Sequence, residues 1–380
     1  MNIGVLKESR VSERRVALTP AGVQTLVTAG ARVYIQHEAG LQTLFADEEY
    51  QEAGAQIAYT TEEAINRSDV IMKVAPPTEA EMALMRKGQA LFSFLHLIMS
   101  NEKTLDMILK SGVTSVGYEL IENARGELAI LQVMSEIAGH ESLYLGAHYL
   151  QSKEGGRGVL MGSIPGVPPT SIVVLGAGTV GRTAAKAALG LGANVTVLDK
   201  DLSRLRDLHD LMPFGLNTVM ATSYNIAKAV RFADVVIGAV LLKGEKAPHL
   251  VTETMVKQMK PGSVILDISI DQGGCVETSR PTTIDDPVFV KYGVVHYCVP
   301  NMTTAVPRTA SLALTNAVIP YLLEINEVGL EAAMARATGL AHGVCTYNGA
   351  CTNVAIAKAF GMKAKTLSTM LTAAHTTHRN

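Results

Sequence analysis

Short apolar or β-branched runs alternate with stretches of helical spacing from the first residues onward. Ile3 to Leu6, Ala31 to Gln36, Val70 to Val74, Ala90 to Leu95 and Val113 to Tyr118 read as strands. Between them, Pro20 to Ala29, Thr61 to Arg67, Glu79 to Arg86 and Lys103 to Lys110 place apolar residues at helical intervals, with Thr19 and Asn101 positioned as N-caps. This βα repetition predicts a mostly parallel sheet. A second series starts at Ile172 and continues through Val195 to Leu198, Asp234 to Leu241, Ser263 to Ile268 and Val294 to Val299, which predicts a second sheet. Separating the two series, Ser135 to Leu150 reads as a helix, followed by the glycine-rich Glu154 to Gly158 and the turn-rich Gly162 to Gly166. Beyond the second sheet, Thr309 to Glu324 is helical by spacing, with Pro320 expected to kink it, and is expected to return the chain to the first domain. Two helices crossing between domains predict a hinged cleft, where a dinucleotide and a small substrate commonly meet.

Composition narrows the partners. A chain of 380 residues exceeds one ordinary core, so two domains are expected, divided as 1–134, 135–305 and a return at 306–380. Charged residues make up 18% and hydrophobic residues 48%, and mean hydropathy is +0.21, a surface less polar than a monomer needs and suited to a homo-oligomer. The net charge of −2 comes from interspersed residues, 33 basic and 35 acidic, which gives no basic stripe for nucleic acid and no polybasic membrane patch. No uninterrupted apolar run reaches about twenty residues and the N-terminus opens on a strand-like segment, so a cytoplasmic location is expected. Cys275, Cys298, Cys345 and Cys351 form no C-x-x-C and read as reduced thiols; His342 with Cys345 and Cys351 matches no zinc spacing, and no metal is expected.

The chemistry begins where the second series begins. Gly176-Ala177-Gly178-Thr179-Val180-Gly181 follows the apolar run ending at Leu175 and opens a helical stretch, a G-x-G-x-x-G in strand-turn-helix context. Such a turn lets backbone approach a pyrophosphate while the helix N-terminus offers unpaired N–H groups. The next strand ends in Asp199, whose carboxylate can accept both ribose hydroxyls and repels a 2′-phosphate, so NAD is favoured over NADP, although Lys200 and Arg204 soften the discrimination.

Three further residues stand out singly. His96 follows the run Leu91 to Leu95, at the carboxyl end of a predicted parallel strand, where an imidazole can exchange a proton near neutral pH. Asp271 heads the glycine-rich turn Asp271-Gln272-Gly273-Gly274 at another strand end. Arg15, just after the first strand, can clamp a carboxylate in bidentate fashion.

Taken together with Gly4 to Glu8, Arg15 to Pro20, Phe94 to Leu97, Gly155 to Leu160, Ile237 to Leu241, Asp271 to Cys275, Arg280 to Thr283 and Val299 to Met302, these residues make the chain resemble the NAD-dependent L-alanine dehydrogenase family over nearly its whole length. The resemblance implies an α/β fold of two Rossmann-like doubly wound domains joined by hinge helices, the first built from both chain ends, assembled as a hexamer. It implies reversible oxidative deamination of alanine to pyruvate and ammonium. It assigns Arg15 to the substrate carboxylate, His96 to proton exchange at the carbonyl or carbinolamine oxygen, and Asp271 to the attacking water or ammonia. Around NAD it places Ser135, Gly176, Gly178, Thr179, Val180, Gly181, Asp199, Arg204, Val240, Leu241, Arg280, Val299, Asn301 and Met302.

One position departs. Where the family reads Lys-Val-Lys-Glu-Pro, with the second lysine touching substrate, this chain reads Lys73-Val74-Ala75-Pro76-Pro77. A lost charged hydrogen bond costs on the order of 2 to 4 kcal/mol in the transition state. Residues i and i+2 of a strand share a face, so Lys73 is expected to reach into the same space and bind substrate. The alternatives are a relative acting on another 2-oxo acid or condensing an amine reductively, and a transhydrogenase-like or regulatory NAD-binding protein, against which His96 and Asp271 to Gly274 speak.

Overall fold

The computed structural model describes residues 1–10, 12–241, 246–336 and 339–377, the last five as backbone. Its chain divides into two compact units, Met1–Met134 with Thr304–Asn380, and Ser135–Thr303.

In the first unit, strands β1 (Asn2–Val5), β2 (Arg32–Gln36), β3 (Gln56–Ala58), β4 (Val70–Met72), β5 (Ala90–Ser93) and β6 (Thr114–Gly117) alternate with helices α1 (Pro20–Thr28), α2 (Asp47–Glu52), α3 (Thr61–Asn66), α4 (Glu79–Leu84) and α5 (Glu102–Ser111). Helix α6 (Ala129–Tyr149) carries the chain across the boundary. The second unit contains β7 (Ser171–Leu175), α7 (Thr179–Gly190), β8 (Asn194–Asp199), α8 (Leu202–Leu211), β9 (Leu216–Met220), α9 (Ser223–Phe232), β10 (Val235–Gly238), α10 (Glu253–Val256), β11 (Val264–Asp267) and the hairpin β12 (Val288–Lys291) and β13 (Val294–Tyr297). The return to the first unit brings α11 (Pro307–Val328), β14 (Val344–Tyr347) and β15 (Ala350–Cys351). The expectation of two crossing helices is therefore half corrected. Among the described helices α6 alone spans the boundary; the return falls in the short turn Met302–Ala305, and α11 lies wholly within the first unit.

The sheets share one topology. The first runs β15-β14-β6-β5-β4-β1-β2-β3 and the second β12-β13-β11-β10-β7-β8-β9, each parallel except at the β14–β15 and β12 edge. In each, the first strand of the unit lies between the second and the fourth parallel strand, so the order reverses at β1/β4 and at β7/β10. Crevices open at the carboxyl ends of strands beside such reversals. The central strands are buried on both faces, which is why their sequences read as continuous apolar runs: β5, β10 and β11 are buried throughout.

Local signals behave as their chemistry dictates, with one exception. Asn101 caps α5 by accepting from the Thr104 N–H at 2.9 Å, and Thr78 with Glu81 closes a capping box on α4. Thr19 stands at the N-cap of α1 but its side chain makes no cap bond, and its buried hydroxyl has no hydrogen-bond partner; Pro20 at the first helical position has no N–H to cap. The weakly patterned strands β3, β9 and β12, and the α11 span beyond Thr309–Glu324, have no counterpart in the periodicity. Pro320 lies inside α11 without ending it.

Candidate functional site

In the second unit the glycine turn follows β7. Gly176 takes a φ of 109°, and a Cβ there would lie 2.4 Å from the Ala239 carbonyl oxygen, across the β7/β10 reversal. Gly181 is closed on the other side, since a Cβ would lie 1.9 Å from the Gly176 carbonyl oxygen. Gly178 differs: a Cβ there would meet nothing within 4 Å, and this residue is the N-cap of α7 with no side-chain cap on the helix. Two glycines thus allow backbone to meet backbone, and the middle one borders open space in front of an uncapped helix N-terminus. Thr179 and Val180 begin α7, half-buried. This cradle fits a dinucleotide pyrophosphate.

Asp199 ends β8 and is 8% exposed. One of its oxygens accepts from Ala177 N at 2.6 Å and the other from Asp201 N at 2.8 Å, so the carboxylate ties the glycine turn to its own strand while keeping lone pairs for ribose hydroxyls. Arg204 is exposed on α8, 3.6 Å from Asp201. Val240 donates its N–H to Ser269 Oγ at 2.9 Å, fixing the strand end beside Gly176, and Leu241 is exposed. Arg280 packs over the Phe289 ring at 4.4 Å; Val299 and Met302 are buried. Ser135 lies half-buried on α6 at the start of the unit.

Asp271 is not on a strand end as expected. Strand β11 stops at Asp267, and Ile268–Gln272 forms a 3-10 turn closed by Gly273 at φ 95° and Gly274 at φ 82°. The turn is held by Asp267, whose carboxylate accepts from Cys275 N and Val276 N; burial pushes this carboxyl up from the usual range while those donors pull it down. Exposed Asp271 accepts from Asn301 N at 2.9 Å, and Asn301 sits in the left-handed region at φ 52°.

In the first unit the same edge of the sheet is crowded with charge. Arg15 is 4% exposed and side-on to Glu13, with Nε to Oε1 at 2.7 Å and Nη2 to Oε2 at 2.6 Å; its Nη1 points at Met134 Sδ at 3.6 Å and its plane lies over Phe94 at 5.8 Å. Lys73, just past β4, is 1% exposed. Its Nζ lies 2.9 Å from Glu81 Oε1 and 3.2 Å from Glu8 Oε2. Glu8 follows β1, and its other oxygen accepts from Val74 N at 2.6 Å, so the Glu8–Lys73 pair closes the β1/β4 reversal. Burial raises the Glu8 carboxyl, with the Lys73 charge opposing it. These two carboxylates take up two of the three N–H donors of the Lys73 ammonium. Ala75, two residues on, is buried.

His96 lies three residues beyond β5, in the left-handed conformation with φ 45° and ψ 40°. The apolar run through Leu95 overextends the strand, because Leu95 and His96 direct their N–H groups to the Glu119 carboxylate instead of a neighbouring strand. The His96 ring is half-buried and stacks on Phe94, centroids 6.0 Å apart.

The matches to known proteins cover both units. A family model described as alanine dehydrogenase/PNT, N-terminal domain, matches residues 4–138, and its C-terminal counterpart matches 142–354. The chain belongs to the alanine dehydrogenase/PNT family. The alanine dehydrogenase of Methanococcus maripaludis is 48% identical over 94% of this chain and 96% of its own length. Among solved structures, one titled L-alanine dehydrogenase is 43% identical with a TM-score of 0.90, covering 95% of this chain and 99% of that one. A transhydrogenase from Sinorhizobium meliloti is 28% identical with a TM-score of 0.78, covering 93% of this chain and 100% of that one. Within this alanine dehydrogenase/PNT framework, sequence reading missed Glu8, Glu13, Glu81, Glu119 and Asp267. Only Glu81 carried a local signal, the Thr78-x-x-Glu81 capping box, and that signal explains its bond to Thr78 N but not its bond to Lys73.

Proposed function

We propose that the protein catalyses reversible, NAD-dependent oxidative deamination of L-alanine to pyruvate and ammonium. The observation that carries this reading is the full-length likeness to alanine dehydrogenases with the glycine cradle, Arg15, His96 and Asp271 all present. NAD, held by the turn Gly176 to Gly181 and by Asp199, with Ser135, Arg204, Val240, Leu241, Arg280, Val299, Asn301 and Met302 around it, supplies the hydride acceptor. Arg15 takes the substrate carboxylate from an edge not engaged by Glu13. His96 removes and returns the proton at the carbinolamine or carbonyl oxygen, and Asp271 accepts the proton of the attacking water in deamination and returns it to the departing amine. Lys73 supplies positive charge near Ala75 from within its pairs with Glu8 and Glu81. We place the enzyme in the cytoplasm as a homo-oligomer, a hexamer by resemblance; the high apolar fraction of the chain, 48% hydrophobic against 18% charged residues, supports burial against other copies. Among the described residues no helix is long and apolar enough to cross a membrane.

A second reading, a bulkier 2-oxo acid, is favoured by one observation: the small Ala75 stands where the resemblance expects a lysine. NADH oxidation with ammonium and either pyruvate, glyoxylate or 2-oxobutyrate separates the two. The highest kcat/KM is expected with pyruvate, and a tenfold preference for 2-oxobutyrate overturns the alanine reading.

A further inference from the structure

We infer that Glu119 is a positioning residue for His96, holding the strained turn that presents the imidazole. The inference rests on His96 being the proton-exchanging group of the proposed reaction. Three observations carry it. First, His96 is one of six non-glycine residues with positive φ among the described residues, a conformation that a residue with a Cβ holds only when its surroundings enforce it. Second, the enforcement is visible: Glu119 Oε1 accepts from His96 N at 2.7 Å and Oε2 accepts from Leu95 N at 3.2 Å, so one carboxylate grips two successive amides that have left the sheet. Third, the space for that carboxylate is kept by an absent side chain. Gly117 ends β6 with an ordinary negative φ of −83°, so its backbone does not demand glycine, yet a Cβ there would lie 3.0 Å from Glu119 Oε1.

The sheet places the two partners. Strands β5 and β6 are parallel neighbours with Ser93 opposite Gly117, so Glu119 and His96 leave adjacent strands at the same edge. Phe94, on the strand side of the turn, stacks on the His96 ring and packs edge-on against Tyr118 at 5.2 Å, so the backbone turn sets the direction from which the imidazole departs. Glu119 therefore acts through the backbone of His96, and both oxygens are needed, since an amide in their place offers one acceptor and turns a donor toward a donor.

The test is kinetic, on the full-length enzyme with pyruvate, ammonium and NADH. Glu119→Gln is expected to lower kcat about ten- to a hundredfold, with the KM for pyruvate and the Kd for NADH each within about twofold of wild type. Gly117→Ala, which keeps the carboxylate but crowds it, is expected to show the same split with a smaller loss, about three- to tenfold. Introducing Glu119→Gln into His96→Ala is expected to lower the residual rate no further, because the two changes remove one function. Unchanged kcat in folded Glu119→Gln overturns the inference, as does a loss in KM or NADH affinity that matches the loss in kcat. Should Glu119→Gln fail to fold, Gly117→Ala decides on the same criteria. Full turnover in His96→Ala refutes the underlying role of His96, and is read separately from the behaviour of Glu119.

Discussion

The two sheets of this protein reverse their strand order in the same way and fill the resulting crevice oppositely. At β7/β10 the reversal is lined by glycine and backbone, with open space beside Gly178. At β1/β4 it is closed by Glu8 and Lys73, with Glu81 completing a buried triad. The same topology yields an open glycine turn in one unit and a charged plug in the other. The contrast teaches that a doubly wound sheet offers a position, while side-chain volume and charge decide whether that position is a site. In the first unit the candidate chemistry is displaced along the edge, to Arg15 and to His96 beyond β5.

Substitutions can break this contrast from either side. The largest effect is expected from His96→Ala, which should reduce turnover by about a hundredfold or more with NADH affinity nearly unchanged, as read by steady-state rates and a fluorescence titration. Retained turnover would place the proton chemistry elsewhere.

Lys73→Ala leaves Glu8 and Glu81 facing each other without their cation and is expected to cost about 3 to 5 kcal/mol of stability, measured by urea denaturation. If stability is unchanged and the KM for pyruvate rises instead, Lys73 serves the substrate directly and the plug is not structural.

The glycine side gives a paired experiment. Gly178→Val is expected to weaken NADH about tenfold or more without unfolding the protein, because its Cβ projects into open space; Gly181→Val, whose Cβ meets the Gly176 carbonyl, should unfold or strongly destabilise the unit. Equal behaviour of the two would mean that the space at Gly178 holds no ligand. Asp199→Ala should weaken NADH as well, and an unchanged Kd would detach that carboxylate from the cofactor.

The smallest effect is a pH slope. His296 is buried on strand β13 of the second sheet's hairpin, where Val294 O accepts from Nδ1 and the Thr278 hydroxyl donates to Nε2; burial lowers its pKa from 6.5 to about 4. A depressed folded pKa contributes stability that is present above 6.5 and lost as pH falls toward 4, up to about 3 kcal/mol. Urea midpoints between pH 7 and 4 should fall more steeply in wild type than in His296→Phe, and parallel slopes would remove His296 from the acid response.

The legible part of this molecule is the part written in local pattern. Fully buried strands such as β5, β10 and β11 announce themselves as apolar runs, and the glycine turn combines a short motif with a strand before and a helix after. The strand ends were less legible: the apolar run into His96 continues past β5, because Leu95 is buried whether or not its amide belongs to the sheet. The charged residues were the least legible. Arg15 reads as a clamp in sequence, but its engagement by Glu13 depends on side-chain geometry in the loop, and Lys73 reads as a substrate ligand by strand parity although two carboxylates hold it.

By itself, then, the sequence determined two doubly wound α/β units, a glycine turn between strand and helix at Gly176 to Gly181 and the family to which the chain belongs. These rest on periodicity, on glycine where backbone must pass backbone, and on motifs contiguous in the chain. Tertiary structure alone decided which carboxylate meets which cation, that the β1/β4 crevice is plugged while the glycine cradle stays open, and that His96 is held in a left-handed turn by a residue twenty-three positions away. Charge pairing is a matter of distances across strands, and hydrophobic spacing carries no record of it.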